Sequence, residues 1–203
     1  MSKTESASAI TLKGSADIVT EFFNYGINSI IYQRGIYPVE SFSREDKYGL
    51  AILMTKDCEL QTFIASILKQ LKHWLMTKEV QRLVLVISNF HTKETLERWE
   101  FKIQCEGELD YFRGKPKSKD IKEIQKEIRN IIRQITASVS FLPLLDNACS
   151  FDVLLYTNKD VDVPDEWAES TAHIIPEYEE VKLSNFSTSV HKVDTAVQYK
   201  TYD

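Results

Sequence analysis

Apolar residues recur at helical spacing in three stretches of the chain, residues 18–31, 60–75 and 121–135. Side chains three or four positions apart lie on the same face of a helix, so each stretch forms an apolar stripe. The pattern predicts three amphipathic helices whose outer faces are polar. The residues suited to cap them are Ser15 and Asp57 at N-termini and Gly35 at a C-terminus.

Other apolar residues follow the spacing of β-strands. The run LVLVI at residues 83–87 predicts a central strand that is buried on both faces. Residues 99–105 and 149–157 alternate apolar and polar side chains, which predicts half-buried strands. Two shorter strands are predicted on either side of a turn, at residues 42–46 and 50–54. This order of elements predicts an α+β fold, a mainly antiparallel sheet with three helices on one face.

The C-terminal part of the chain differs in character. Residues 158–180 carry eight carboxylates and one lysine, and they show no period. Residues 181–201 alternate again, but weakly, so we expect these strands to bury little and to have a loosely specified register. If they can leave the sheet, the strand at 149–157 becomes an open edge that accepts an extended peptide. An ordinary weak C-terminal hairpin explains the same pattern equally well.

Length and charge limit the class of protein. A chain of 203 residues suits one domain. The net charge of −5 argues against nucleic-acid binding, which needs a basic face, and the few lysines at 115–119 are a poor exception. The three scattered cysteines suggest no disulfide framework and fit a reducing compartment. With no visible signal peptide and no apolar run of membrane-spanning length, we expect a cytosolic or nuclear protein without membrane attachment.

Motifs for catalysis or cofactor binding are absent from the sequence. None of the six glycines stands at Gly-x-Gly spacing, and none of the four histidines has a His or Cys two to four positions ahead. Cys149 and Asp152 are explained better as a small strand residue and a solvated carboxylate than as a nucleophile and an acid. We therefore expect no enzyme activity, no cofactor and no metal. A small enzyme with an unrecognised site stays open as an alternative.

Arg133 stands out on the third predicted helix. It lies roughly 150° from the centre of the isoleucine face, fully outward, and Gln134 lies at the flank of that face. An arginine at such a position is most often simply solvated. A contact with another protein is the sharper hypothesis.

Several segments resemble the HORMA-domain family, in particular its spindle assembly checkpoint members. The likeness runs from about residue 10 to the end, and it is weak at residues 106–119 and 169–180. The strings that carry it are GSADIVTEFFNYGINSIIYQRGIYP (14–38), LVLVISN (83–89), LERWEFKI (96–103), IRNIIRQITASVSFLPLL (128–145), CSFDVLLYT (149–157), VPDEW (163–167) and VHKVDTAVQYK (190–200).

The resemblance implies one HORMA domain with a flexible leader (1–9), a core (10–157) and a mobile C-terminal safety belt (158–203). In an open conformer the belt strands pair with the strand at 149–157. In a closed conformer they cross the sheet and wrap a partner peptide, and residues 10–12 rearrange. The residues implied to bind the peptide are Ser150, Phe151, Asp152, Val153, Leu154, Leu155, Tyr156 and Thr157. Those implied for the belt are Trp167, Val181, Leu183, Phe186, Val190, His191, Val193, Val197 and Tyr199.

The resemblance also implies a function and partners. The expected function is to delay anaphase by trapping a peptide of the anaphase-promoting-complex activator or of a coiled-coil kinetochore receptor. Open and closed copies would dimerise through Arg133, Gln134 and Phe141. A HORMA-like adaptor with an AAA+ remodelling ATPase would reverse closure, and we expect the protein in the nucleus, kinetochore and cytoplasm. A HORMA subunit of a translesion DNA polymerase is the alternative, although the strings IRQIT and FLPLL favour the checkpoint branch.

Overall fold

The computed structural model describes residues 10–106 and 119–201, which contain three α-helices, seven strands and two short 3₁₀ turns. The strands form a two-stranded sheet, β1 with β2, and a five-stranded sheet in the order β5-β3-β4-β7-β6, with every pair antiparallel. The predicted α+β class is confirmed. The elements are α1 Leu12–Gln33, β1 Phe42–Lys47, β2 Leu50–Thr55, α2 Cys58–Met76, β3 Val80–Asn89, β4 Thr95–Cys105, α3 Ile121–Ala137, β5 Cys149–Thr157, β6 Tyr178–Ser187 and β7 His191–Lys200.

Short polar side chains begin each helix. Asp57, as predicted, and Asp120 accept hydrogen bonds from backbone amides in the first turns of α2 and α3. For α1 the prediction was wrong, because Thr11 is the N-cap and accepts an amide of the first turn at 3.0 Å. Ser15 lies inside the helix and is fully buried. Gly35 follows the end of α1 at a φ of 64°, a left-handed conformation that glycine adopts at little cost.

Five of the six isoleucines of α3 face the core, as the helical spacing predicts. Ile121, with 45% exposure, does not, because it is the first residue of the helix and lies at the end of the packed face. The buried isoleucines are Ile124, Ile128, Ile131, Ile132 and Ile135.

The central strands β3 and β4 form the middle of the sheet. Residues 83–87 are buried on both faces, which confirms the prediction for this run. In β4, Trp99, Phe101 and Ile103 are buried, whereas Cys105 at the strand end is exposed and does not continue the predicted apolar face.

Aromatic contacts join α1 to the sheet. Phe22 meets Phe101 of β4 with ring centroids 5.9 Å apart and Phe186 of β6 at 4.8 Å, both edge-on. Burying one such side chain stabilises the fold by roughly 1.5–3 kcal/mol. The C-terminal hairpin is therefore part of the same core as the first helix.

A buried ion pair ties α1 to β4. The Arg34 Nη2 atom lies 2.6 Å from Glu97 Oε1 and also donates to the Pro143 carbonyl at 2.5 Å. Trp99 Nε1 donates to the same carboxylate at 3.1 Å. Because both charges are almost completely buried, removing one partner would leave the other unpaired in a low-dielectric interior.

The β1–β2 hairpin rests on α1. Its turn residues Tyr48 and Gly49 have φ values of 53° and 72°, and the predicted turn is confirmed. The Tyr48 hydroxyl donates to Glu21 at 2.6 Å, and Lys47 pairs with the same carboxylate at 2.9 Å. Burial and the hydrogen bond to Glu21 both raise the pKa of Tyr48.

Some predictions concern parts of the chain outside the described residues. These are the leader at 1–9 and the lysines at 115 and 117. Within 10–106 and 119–201, no helix is both long enough and apolar enough to span a membrane.

Candidate functional site

Strand β5 forms one edge of the five-stranded sheet. It pairs with β3, and no other strand among the described residues lies on its outer side. Phe151, Val153 and Leu155 pack against the core, so alternation places Leu154 and Tyr156 on the opposite face of the sheet. Every position of the strand is half-buried except Asp152, which is exposed. Residues 150–157, predicted to bind a peptide, thus share one edge whose outward backbone groups can pair with another extended chain.

A cavity of about 700 Å³ opens beside the C-terminal half of β5. Its walls are β5 residues 153–157, Trp74 of α2 and several residues of the segment 158–172. The Trp167 ring meets Trp74 edge-on, with centroids 5.8 Å apart, and this contact holds the segment against α2. A volume of about 300–1,000 Å³ is typical of ligand pockets. The cavity therefore brings together Trp167, predicted for the belt, and the predicted edge strand.

Acidic side chains give this cavity its charge. Two carboxylates, Asp165 and Glu169, and one cation, Lys159, line it. The whole segment 158–180 carries eight carboxylates against one lysine. A ligand with basic residues is electrostatically favoured here.

The C-terminal hairpin, β6 and β7, lies at the opposite edge of the five-stranded sheet from β5. Strand β7 pairs with β4 in a register that places Val193 opposite Ile103 and Val197 opposite Trp99. The expectation that these strands bury little is wrong for β7, whose alternate residues are buried because it lies between β4 and β6. Of the residues predicted for the belt, Phe186, His191, Val193, Val197 and Tyr199 are buried, and Val181, Leu183 and Val190 are half-buried.

Two side chains of α3 hold the backbone of β6. Gln134 Oε1 accepts the Ser184 amide at 2.7 Å, and Glu127 accepts the Ser187 amide at 3.1 Å. The first contact lies where the β6–β7 register shifts, so it satisfies a backbone group at an irregularity. Gln134 is also predicted for a dimer interface, and its side-chain oxygen makes this contact within the chain.

The β6–β7 turn docks on the first turn of α1. The Ser15 hydroxyl lies 2.5 Å from Thr188 Oγ1 and 2.7 Å from His191 Nδ1, and all three residues are fully buried. Burial lowers the pKa of His191, because it disfavours the charged imidazolium. No local pattern predicts this cluster, because its members are far apart in the chain and Ser15 by itself is interpreted as a helix cap.

The outer face of α3 is open to solvent. Arg133 is exposed there, at the rim of a cavity of about 360 Å³ that Tyr32 and Leu53 also line. Phe141, also predicted for the dimer interface, is 41% exposed just beyond the helix. Both residues are therefore accessible to a partner.

Groups that could support catalysis are inaccessible or scattered in the described parts of the chain. Across residues 10–106 and 119–201, no three His, Cys, Asp or Glu side chains lie close enough to hold a metal ion. Ser15 and His191 make a serine–histidine contact, but both are fully buried. Burial raises the pKa of the Cys149 thiol, which disfavours the reactive thiolate.

A model of the HORMA domain matches residues 15–191 of the chain. The chain belongs to the HORMA-domain family. This HORMA protein is 54% identical over 191 residues to the human mitotic spindle assembly checkpoint protein MAD2A, covering 94% of this chain and 93% of that protein. It is 46% identical over 190 residues to the Schizosaccharomyces pombe mitotic spindle checkpoint component mad2, covering 94% of each.

Solved structures agree with this assignment. A chain in the crystal structure of a mitotic checkpoint complex matches with a TM-score of 0.82 and 44% identity, over 93% of this chain and 99% of that chain. Caenorhabditis elegans HTP-2, solved with a HIM-3 closure motif, matches 96% of this chain and 93% of that chain with a TM-score of 0.78, and at 14% identity it shows the shared fold alone. The predicted HORMA fold and spindle checkpoint function are confirmed.

The polymerase alternative is not favoured. The Drosophila melanogaster DNA polymerase zeta subunit 2 is 29% identical over 146 residues, which is 71% of each chain. The identity is lower and the matched span shorter than for the checkpoint relatives. Those relatives are named as checkpoint proteins and not as enzymes.

Proposed function

We propose that this HORMA domain acts in the spindle checkpoint by trapping an extended peptide between the β5 edge and the safety belt, residues 158–203, and that it catalyses no reaction. The observation that carries the proposal is the β5 edge, which no strand of the described residues pairs with and which borders the cavity lined by Trp74 and Trp167. Backbone hydrogen bonds along β5 would supply much of the affinity, and side-chain pockets would supply the choice of client.

The position of the β6–β7 hairpin supports a closed conformer. The hairpin pairs with β4, whereas the open conformer implied by the family would place it on β5. In the open conformer the hairpin would occupy the β5 edge that the client needs. A client could therefore be held only after the hairpin has moved from β5 to β4. Leaving β4 would expose Phe186, Val193 and Val197, each worth roughly 1.5–3 kcal/mol of burial, and the switch should therefore be slow.

The clients we propose are peptides of the anaphase-promoting-complex activator and of a coiled-coil kinetochore receptor. The 44% identity to a chain of a mitotic checkpoint complex supports clients that belong to the spindle checkpoint. Residues 10–157 would act as the fixed core and 158–203 as the moving part. We further propose location at the kinetochore, in the nucleus and in the cytoplasm, and dimerisation through Arg133, Gln134 and Phe141. Reopening would be carried out by a HORMA-like adaptor with an AAA+ ATPase.

Hydrogen exchange with a synthetic peptide of the activator tests the trap. We expect slower exchange across β5 and across β6 and β7 when the peptide is added, because both elements would enclose it. Protection limited to the helices would contradict the proposal. The variant Trp167→Ala should release the peptide faster, and Phe90→Ala, which removes a 52% exposed ring on the β3–β4 turn, serves as the matched control.

Removal of residues 192–203 tests the belt directly. The truncated chain should fold with lower stability, because the three helices and β3 to β5 remain while β4 loses its partner strand β7, and it should fail to hold the peptide. Circular dichroism checks folding. An unchanged peptide affinity in a folded truncation would show that the belt is not the trap.

A further inference from the structure

Three aromatic side chains lie close together at the N-terminal end of β5, outside the cavity that borders residues 153–157. Phe63 of α2 is 41% exposed, and its ring meets Phe151 edge-on with centroids 5.8 Å apart. Tyr37 also meets Phe151, at 6.4 Å. We name Tyr37, Phe63 and Phe151 the aromatic end-site.

One face of α2 connects the end-site to the cavity. Phe63 and Trp74 are eleven positions apart in the sequence, which brings them within about 20° of the same direction and about 16 Å apart along the helix. Ile67 lies between them and is buried. Strand β5, which α2 packs against, covers a comparable length, about 13 Å from Phe151 to Leu155. The aromatic end-site is thus continuous with the edge that would hold a peptide.

The exposed ring of Phe63 distinguishes the end-site from ordinary surface. A single exposed apolar side chain needs no explanation. Phe63, however, contacts Phe151 of the edge strand, so a side chain that an added strand places beside Phe151 on the helix side would lie near its ring. In an added strand, the side chains beside Phe151, Val153 and Leu155 point to the helix side of the sheet, because strand positions alternate.

We propose that the aromatic end-site selects one large apolar side chain of the trapped peptide, four positions from the peptide residue that lies beside Leu155. The inference rests on the proposed trapping function and adds a specificity determinant to it. The chemistry selected is an aromatic or long aliphatic side chain, since the site presents ring faces and edges and an aromatic pair gains beyond its buried area.

Selection from a random peptide display library on the full chain tests the end-site. Wild type should enrich Phe, Tyr, Leu or Met at one position, at a spacing of four from a second fixed position. With Phe63→Ala, the preference at the first position should vanish while the second remains, and a wild-type-selected peptide should bind about tenfold more weakly. Phe90→Ala should behave as wild type.

The outcomes separate the two proposals. If Phe63→Ala selects the same residues as wild type and Trp167→Ala loses the peptides, the end-site is refuted and the trap stands. If wild type enriches no peptide, the trap fails and the end-site with it. Because Phe63 is 41% exposed, its truncation should lower the unfolding temperature only slightly, through the lost contact with Phe151, and the chain should stay folded. A selected peptide with Ala at the first position should lose the same affinity on wild type.

Discussion

The Ser15 hydroxyl lies 2.7 Å from Nδ1 of His191, which follows it by 176 positions in the chain. The contact joins the first turn of α1 to the first residue of β7 inside the core. Burial lowers the pKa of His191 from its ordinary value of 6.5, the charge of Lys78 lowers it further, and the Leu75 carbonyl acts in the opposite direction.

This contact predicts a loss of stability in mild acid. With a depressed folded-state pKa, the unfolded chain binds the proton more readily, so the stability present above the ordinary value of 6.5 declines as pH falls below it. Denaturant unfolding from about pH 7.5 to about pH 5.5 should show a falling midpoint. His191→Gln should flatten this dependence, and His91→Gln, on the exposed β3–β4 turn, should not. Equal slopes for wild type and His191→Gln would refute the assignment.

Thr195, on β7, supplies a second prediction about the stability of the fold. Its side chain is 3% exposed and lies opposite Phe101, and its hydroxyl oxygen has no hydrogen-bond partner within the described residues. An unsatisfied buried hydroxyl costs about 1–3 kcal/mol, so Thr195→Val should stabilise the fold by roughly 1 kcal/mol. The measurement is chemical denaturation at neutral pH.

Thr188→Val is the matched comparison, because it changes the same atoms on the same hairpin. The Thr188 hydroxyl contacts Ser15 at 2.5 Å and accepts the His191 amide at 3.0 Å. Its loss should destabilise the fold by about 1–3 kcal/mol. Destabilisation by Thr195→Val as well would show that the Thr195 hydroxyl forms a hydrogen bond in solution, for example with a buried water, and would contradict the prediction.

Local sequence patterns predict most of the elements but few of their distant contacts. The run at 83–87, the Asp57 cap and the Tyr48 turn depend on neighbours in the sequence, and each was predicted correctly. The β5 bounds, Cys149–Thr157, also match. Periodicity alone is sufficient where burial follows directly from side-chain spacing.

The features that the sequence pattern predicts wrongly depend on which strand the C-terminal hairpin pairs with. Thr195 and His191 are polar in a strand pattern and therefore read as weakly buried, yet pairing with β4 buries both. Ser15 reads as a cap, and only the docked β6–β7 turn supplies its partners. The hydrophobic pattern of a strand indicates which of its side chains face the core, but it does not indicate which strand it pairs with.

Ser187 supplies a prediction about charge at the docked hairpin. Its hydroxyl donates to Glu106, and its amide donates to Glu127 at 3.1 Å. A negative group at this position would face two carboxylates, so Ser187→Asp, or a phosphate, should oppose docking of β6. We expect slower closure on the activator peptide, measured by ion-exchange separation of conformers. Ser187→Asn, similar in shape and neutral, should close at nearly the wild-type rate; equally slow closure of both variants would exclude a charge effect.

Arg133 supplies the last prediction, which separates association from folding. Its side chain is exposed on α3, while its neighbour Gln134 binds the Ser184 amide at 2.7 Å. Arg133→Glu should therefore change the free energy of unfolding by only about 0.5 kcal/mol. It should abolish self-association, because a reversed charge leaves groups on both partners mismatched. Gln134→Ala should instead weaken the docked hairpin, since it leaves a backbone amide without its acceptor.

Sedimentation velocity on conformer mixtures, with a peptide-binding assay on the same samples, distinguishes these effects. Lys69→Glu, an exposed lysine on α2 with the same change of charge, should dimerise as wild type does. If Arg133→Glu sediments as the wild-type dimer, Arg133 lies outside the interface. If Arg133→Glu loses peptide binding together with dimerisation, the outer face of α3 serves closure as well as association. The prediction that Arg133 acts in association and has no part in holding the hairpin, as Gln134 does, would then be wrong.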